Sequence, residues 1–186
     1  MEYSQFEDLI MQTQCNETNL VTNAQTIILS LYHQNITHFV SLSIQTLSFH
    51  HNIQAQCFVL LKLRDGFVYR TNPQSILFSL PHEQISELRV CLSNVLLDPT
   101  ANDLTKRLTA DAIAEFGITS YLTDQSFWPD IVPFLLHVAH DSDPSNRKYA
   151  LRGMIAVVYN SKQPNSYRPL YNLFQKKIHF FQAYTL

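Results

Sequence analysis

His137 and His140 stand three residues apart in an apolar run, the spacing that puts two imidazoles on one face of a helix. Such a pair could begin a zinc site. Two imidazoles fall short of the four ligands a structural site takes, so no metal is expected. His50 and His51 fall in a break between apolar runs and read as solvated. Cys15, Cys57 and Cys91 are odd in number, far apart and set among apolar residues. They read as reduced core residues of an intracellular protein. Neither a Cys-x-x-Cys pair nor a serine elbow is present. Gly66, Gly117 and Gly153 are the only glycines, too few for a phosphate-cradling loop. The expectation is a protein without catalytic residues, cofactor or metal, and not an enzyme.

What repeats is a different constellation. Asp103, Arg107 and Ala110 recur forty residues later as Asp143, Arg147 and Ala150, both times as Asp-x-x-x-Arg-x-x-Ala. Positions 0, 4 and 7 share a narrow helical sector. The Asp can receive free amides at a helix start. The Arg can reach a carboxylate or carbonyl of the adjacent repeat, and the Ala lets a neighbouring helix come close. A period of this length marks a stacked helical array, whose units bury their faces only against each other.

One mismatch complicates the repeat. Ala150, Leu151, Met154, Ile155 and Val158 read as the apolar stripe of the later helix. A shift of forty places Asp111 and Glu115 at the positions of Leu151 and Ile155. The earlier helix favours Leu104, Leu108, Ala112, Ile113 and Phe116 instead, leaving Asp111 and Glu115 as an acidic strip. Either the match is partly accidental or one helix is rotated against the other.

Helical spacing accounts for the rest. Four hairpins are expected, at about 4–34, 36–70, 81–122 and 128–160, with an extra helix at about 166–184. Cys57-Phe-Val-Leu-Leu-Lys-Leu is apolar nearly all round, so its helix should be the most buried. Asn72-Pro73 ends that helix, and Pro81 is placed at the first turn of the next. Asp143-Pro144 is a start signal of the same kind. Sustained strand-type alternation does not occur. The fold class is all-α, a single α-solenoid of about four hairpins plus a C-terminal helix.

Composition bounds the partners. A net charge of −2 over 186 residues supplies no basic field to collect phosphates, so direct nucleic-acid binding is not expected. Apolar runs fall short of the roughly 20 residues a membrane helix needs. The opening residues lack a basic and apolar leader, so Asn16-Glu-Thr18 and Asn35-Ile-Thr37 read as chance glycosylation triplets.

Asp143 to Ile155 resembles the second helix of a HEAT repeat, and Trp128-Pro-Asp-Ile-Val-Pro-Phe-Leu-Leu resembles a first helix. With Lys106-Arg-Leu-Thr-Ala-Asp111-Ala-Ile-Ala-Glu-Phe, Phe6-Glu-Asp-Leu-Ile and Gln54-Ala-Gln-Cys-Phe-Val-Leu-Leu-Lys-Leu, they resemble the N-terminal repeats of the importin-β (karyopherin) superfamily. The resemblance spans about residues 4 to 160. It implies a nuclear transport receptor, or its N-terminal portion, acting in the cytoplasm and nucleus as a fragment or a shortened relative. Implied partners are Ran-GTP on second helices of the concave face, Phe-Gly nucleoporins in outer grooves, and cargo where more repeats exist. Lys62, Asp111, Glu115 and Arg152 lie on second helices and are the partner-surface candidates, against the plainer reading of a solvated face. The alternative function is a HEAT scaffold or adaptor for another protein partner. A helical enzyme with dispersed site residues is a third.

Overall fold

The computed structural model describes residues 1–49, 52–68, 75–123 and 127–160. The expected helix at 166–184, His50-His51 and Asn72-Pro73 lie outside the described residues. Eight α-helices follow in order: α1 (Tyr3–Gln12), α2 (Thr18–Gln34), α3 (Ile36–Ser48), α4 (Ile53–Phe67), α5 (His82–Leu97), α6 (Asp103–Thr123), α7 (Ile131–Val138) and α8 (Pro144–Asn160). A 3-10 turn over Ile76–Ser79 precedes α5, and no strand occurs among the described residues.

Side-chain caps set several helix starts. The Asn35 side chain accepts the His38 amide at 3.1 Å, and Asn52 accepts the amides of Gln54 and Ala55. Each bond satisfies an amide that has no partner within its own helix. Asp143 caps α8 in the same way, accepting the Ser145 amide at 2.8 Å, with Pro144 as the first helical residue. Asp103 does not match it. Asn102 caps α6 by accepting the Leu104 amide at 2.7 Å, and Asp103 is already inside the helix. Pro81 likewise sits one residue before α5, as its cap rather than in its first turn.

Two layers of helices form the stack. In one, α3 lies beside α5. In the other, α6 is sandwiched between α4 and α8, its two largest packing partners. At the start of the chain α1 packs on α2, α3 and α4, and at the far end α7 packs on α8. A continuous core runs from Phe6 to Val157. Phe67 meets Phe116 at 5.0 Å between ring centres, and Phe116 meets Trp128 at 5.2 Å, joining α4, α6 and the start of the last hairpin. Offset and edge contacts of this kind add about 0.5–1.5 kcal/mol beyond burial.

The most buried helix is α6, not α4. Thr105, Lys106 and every residue from Leu108 to Ala110 and from Ala112 to Ala114 are buried, as are Phe116 to Ser120. α4 leaves Leu61 39% exposed. The reason is position: α6 has helices on both sides, and α2 leaves much of α4's flank open. α8 also differs from its expected stripe. Its buried line is Tyr149, Ala150, Gly153, Met154 and Val157, while Leu151 and Ile155 are exposed. This removes the mismatch in the repeat. Ala110 and Ala150 are both fully buried, and Asp111 and Glu115 share an outward sector with Leu151 and Ile155. The two helices keep a common rotation.

Candidate partner-binding face

The forty-residue register brings equivalent side chains together. Lys106 on α6 is 2% exposed, and its Nζ donates to Asn146 Oδ1 on α8 at 2.8 Å, with Asp143 Oδ2 at 4.0 Å. Asn146 Nδ2 donates in turn to Asp141 Oδ2 at 3.3 Å. A buried ammonium is tolerable only with such partners, because an unpaired charge loses its hydration for nothing. Nearer the surface, Lys148 Nζ reaches Asp103 Oδ1 at 3.1 Å. Further along, Arg152 forks onto Asp111 with bonds of 2.7 and 2.9 Å. The three links run down one seam between α6 and α8.

Electrostatics follow this geometry. Hydrogen bonding from Tyr149, then from Lys148, holds the Asp103 carboxyl below its usual range, and the Arg107 charge adds to this. The backbone amide of Asp143, then the Asn146 side chain, does the same for Asp141. Arg152 is raised chiefly by its bond to Asp111.

The repeat residues therefore play split roles. Ala110 and Ala150 allow close approach as expected, with the Ala110 carbonyl 3.6 Å from where a Cβ on Gly153 would stand. Arg147 does not reach an adjacent repeat. It donates to the carbonyls of Asp141 and Ser142, both at 2.8 Å, tying down the turn before its own helix. Arg107 is exposed. The inter-repeat links belong to Lys106, Lys148 and Arg152. Lys106 and Asn146 occupy the same place, three after the Asp, in both copies of the repeat. That shared place was the signal available in the sequence.

Of the partner-surface candidates, Asp111 and Arg152 are one fixed pair rather than two separate contacts. Glu115 lies a turn beyond Asp111, half-buried on the same sector. Lys62 is separate from them. It stands 5.9 Å from the centre of the Phe58 ring and borders a small hollow with Tyr32, His33 and Asp65. The outward sectors of α6 and α8 also hold Leu104, Leu151 and Ile155, which are 44%, 39% and 60% exposed. Apolar side chains set among charges are the usual make-up of a protein-binding surface.

His137 and His140 do not form a ligand pair. α7 ends at Val138, and the His140 ring is held to the Leu136 carbonyl at 2.8 Å. Asp141 follows at once, but its carboxylate is engaged by Asp143 and Asn146. Among the described residues no group of three or more potential ligands gathers. The cysteines are all free. Cys91 is buried, with its thiol pushed up to about 11 by burial, and Cys57 is half-buried and also raised. Cys15 is exposed in the turn after α1, so it is not the core residue expected.

The larger hollow is an open groove of about 570 Å³ between α3 and α5. Ile44 and Ser48 form one wall, and Glu83, Ser86, Glu87, Val90, Cys91 and Asn94 form the other. No sequence pattern pointed to it, because its walls come from helices in different hairpins.

The architecture is that of an all-α helical-repeat protein. No protein-family model matches the chain, and no curated protein matches it by sequence. A solved structure of Kap95p with Ran, in which Kap95p binding induces the switch loops of RanGDP to adopt the GTP-bound conformation, does match in fold. The TM-score is 0.78 at 15% identity, over 90% of this chain and 20% of that one. At this identity the likeness is one of fold. The chain spans about a fifth of the length of the structure it matches.

Proposed function

We propose that this chain is a protein-binding platform of importin-β type, acting by association rather than by catalysis. Its place would be the cytoplasm and nucleus, within nucleocytoplasmic protein import. The GTP-bound form of Ran would engage the exposed sectors of α4, α6 and α8, and Phe-Gly nucleoporins would be a second partner class. The observation that carries this reading is the match of nearly the whole helical path to Kap95p, solved together with Ran. Lys62, Asp111, Glu115 and Arg152 are the polar contacts we propose from their place on the second helices, with Leu104, Leu151 and Ile155 as apolar ones.

The test is a pull-down of purified Ran, loaded with GTP or with GDP, on the immobilised chain. Retention of the GTP form over the GDP form is the expected result. Retention that ignores the nucleotide, or none, overturns the receptor reading. The HEAT scaffold for another protein partner would then take its place.

A further inference from the structure

We infer that the hollow between α2 and α4 binds a small free amino acid with a branched aliphatic side chain, of which leucine is the type. Along the layer of second helices α4 packs on α6 and α6 on α8, but α2 makes no such contact with α4, and α1 packs there instead. A hollow of about 170 Å³ is left between them. Its apolar lining is Phe39, fully buried, Ile28, nearly so, and Leu29, which is 44% exposed. The Tyr32 ring stands on Phe39 with 5.2 Å between centres. Its hydroxyl takes the place where a Cβ on Gly66 would come within 2.6 Å, so the bare glycine admits the phenol. The volume is the share of about six water molecules, room for a four-carbon side chain and too little for an indole.

Two opposite charges border this hollow without meeting. Lys62 and Asp65 stand three residues apart on α4, and no ion pair joins them. Among the described residues Lys62 has no carboxylate partner. Both bonds from Arg64 go to Asp65 Oδ1, at 2.7 and 3.1 Å, so Oδ2 keeps its lone pairs. The Tyr32 phenol is raised by burial, then by the Asp65 charge, and so remains a donor. A lone anion would be drawn by Lys62 and repelled by Asp65, and a lone cation the reverse. A zwitterion answers both. Its carboxylate accepts from Lys62 and the Tyr32 hydroxyl, its ammonium donates to Asp65 Oδ2, and its side chain covers Ile28, Leu29 and Phe39. Lys62 and Asp65 are separated by about 4.5 Å along the helix, which suits two charges carried on one carbon. A residue inside a polypeptide carries neither charge, so the occupant is a free amino acid.

An amide-resolved NMR titration of the labelled chain tests this, with leucine, leucinamide and 4-methylpentanoate as probes. Leucine should shift amides of α2 and α4, Tyr32 and Gly66 among them, and saturate with a Kd of about 1 mM. Each analogue lacks one charge and should bind about fivefold more weakly. Lys62→Met should bring leucine to the leucinamide level and leave leucinamide no weaker. Asp65→Asn should bring it to the 4-methylpentanoate level and leave that analogue no weaker. Lys62 is half-buried and Asp65 exposed, so helicity by circular dichroism should match the parent chain. No saturable shift below about 20 mM leucine overturns the proposal. So does leucine binding no better than either analogue, shifts centred away from α2 and α4, or insensitivity to both replacements. Lys62 is shared with the face proposed for Ran, but Ran is absent from the titration. Failure to retain Ran leaves leucine binding standing, and failure to bind leucine leaves the Ran reading standing.

Discussion

Lys106 and Asn146 stand forty residues apart, in the same place of two successive repeats, and hydrogen-bond to each other inside the stack at 2.8 Å. The same period recurs through the molecule. Gln84 bonds to Ser41 across 43 residues, Arg89 to Asp130 across 41, and Arg152 to Asp111 across 41. Polar links between neighbouring hairpins therefore act as a register lock on top of the apolar packing.

Lys106 should be the most sensitive of these positions. Lys106→Ala removes a packed stem and leaves Asn146 Oδ1 without its donor, so we expect a loss of about 2–4 kcal/mol. Lys106→Met restores the stem and should lose about 1–2 kcal/mol, the share of the unmet acceptor. Urea unfolding followed by circular dichroism measures both. An alanine variant within about 0.5 kcal/mol of the parent would show that the buried ammonium contributes little.

Asp111 and Arg152 test whether the surface end of the seam is coupled. The pair is bidentate, but the Arg152 side chain is 44% exposed against 17% for Asp111. Solvent screening then limits its worth to about 0.5–1 kcal/mol. A double-mutant cycle with Asp111→Ala and Arg152→Ala should return a coupling of that size, shrinking in high salt. A coupling indistinguishable from zero in low salt would mean the fork is only one of many poses of two solvated groups.

Acid should loosen the turns that lead into α6 and α8, the second helices of the last two hairpins, first. Asp103 and Asp141 both have carboxyls held below the ordinary 3.8 by hydrogen bonds present only in the folded chain. A depressed folded value means the stabilisation is complete above the unfolded value and disappears as pH falls through the folded one. Thermal midpoints should thus be flat in these groups' contribution above about pH 5 and decline from about pH 4 downward. Asp141→Asn should flatten that decline relative to the parent. An unchanged acid slope in this variant contradicts the assignment.

The stacked fold was legible because Ala110 and Ala150, and the Asp143-Pro144 start, depend on local rules of helix geometry and capping. Rotation was harder. Leu151 and Ile155 read as core by hydropathy, yet α8 packs its Tyr149, Gly153 and Val157 side inward, which only its neighbours decide. Asn102 displaced Asp103 as cap because either residue type can fill that role and the chain alone does not choose. The partner face and the groove were the least legible. Ile44 and Val90 meet only after whole helices are placed, and no local pattern records that meeting, whereas Lys106 and Asn146 were marked by nothing more than their shared place in the repeat.

The helical glycines offer the sharpest contrast. Gly153 lies in α8 with ordinary space around an added methyl: the Leu135 side chain at 3.5 Å and the Ala110 carbonyl at 3.6 Å. Gly153→Ala should therefore gain helix propensity without a clash and stabilise by up to about 1 kcal/mol. Gly117 lies in α6, where a methyl would run into Ile131 Cδ1 and press on its Cγ1 at 3.3 Å. Ile131 is buried in α7 and must shift to make room, which costs about 1–3 kcal/mol against the same propensity gain. Gly117→Ala should be neutral to destabilising, so its urea midpoint should fall at or below that of the parent while the Gly153→Ala midpoint rises above it. Equal stabilisation by both would mean that the start of α7 yields freely, and that the last hairpin is packed on α6 far more loosely than the buried Ile131 contact implies.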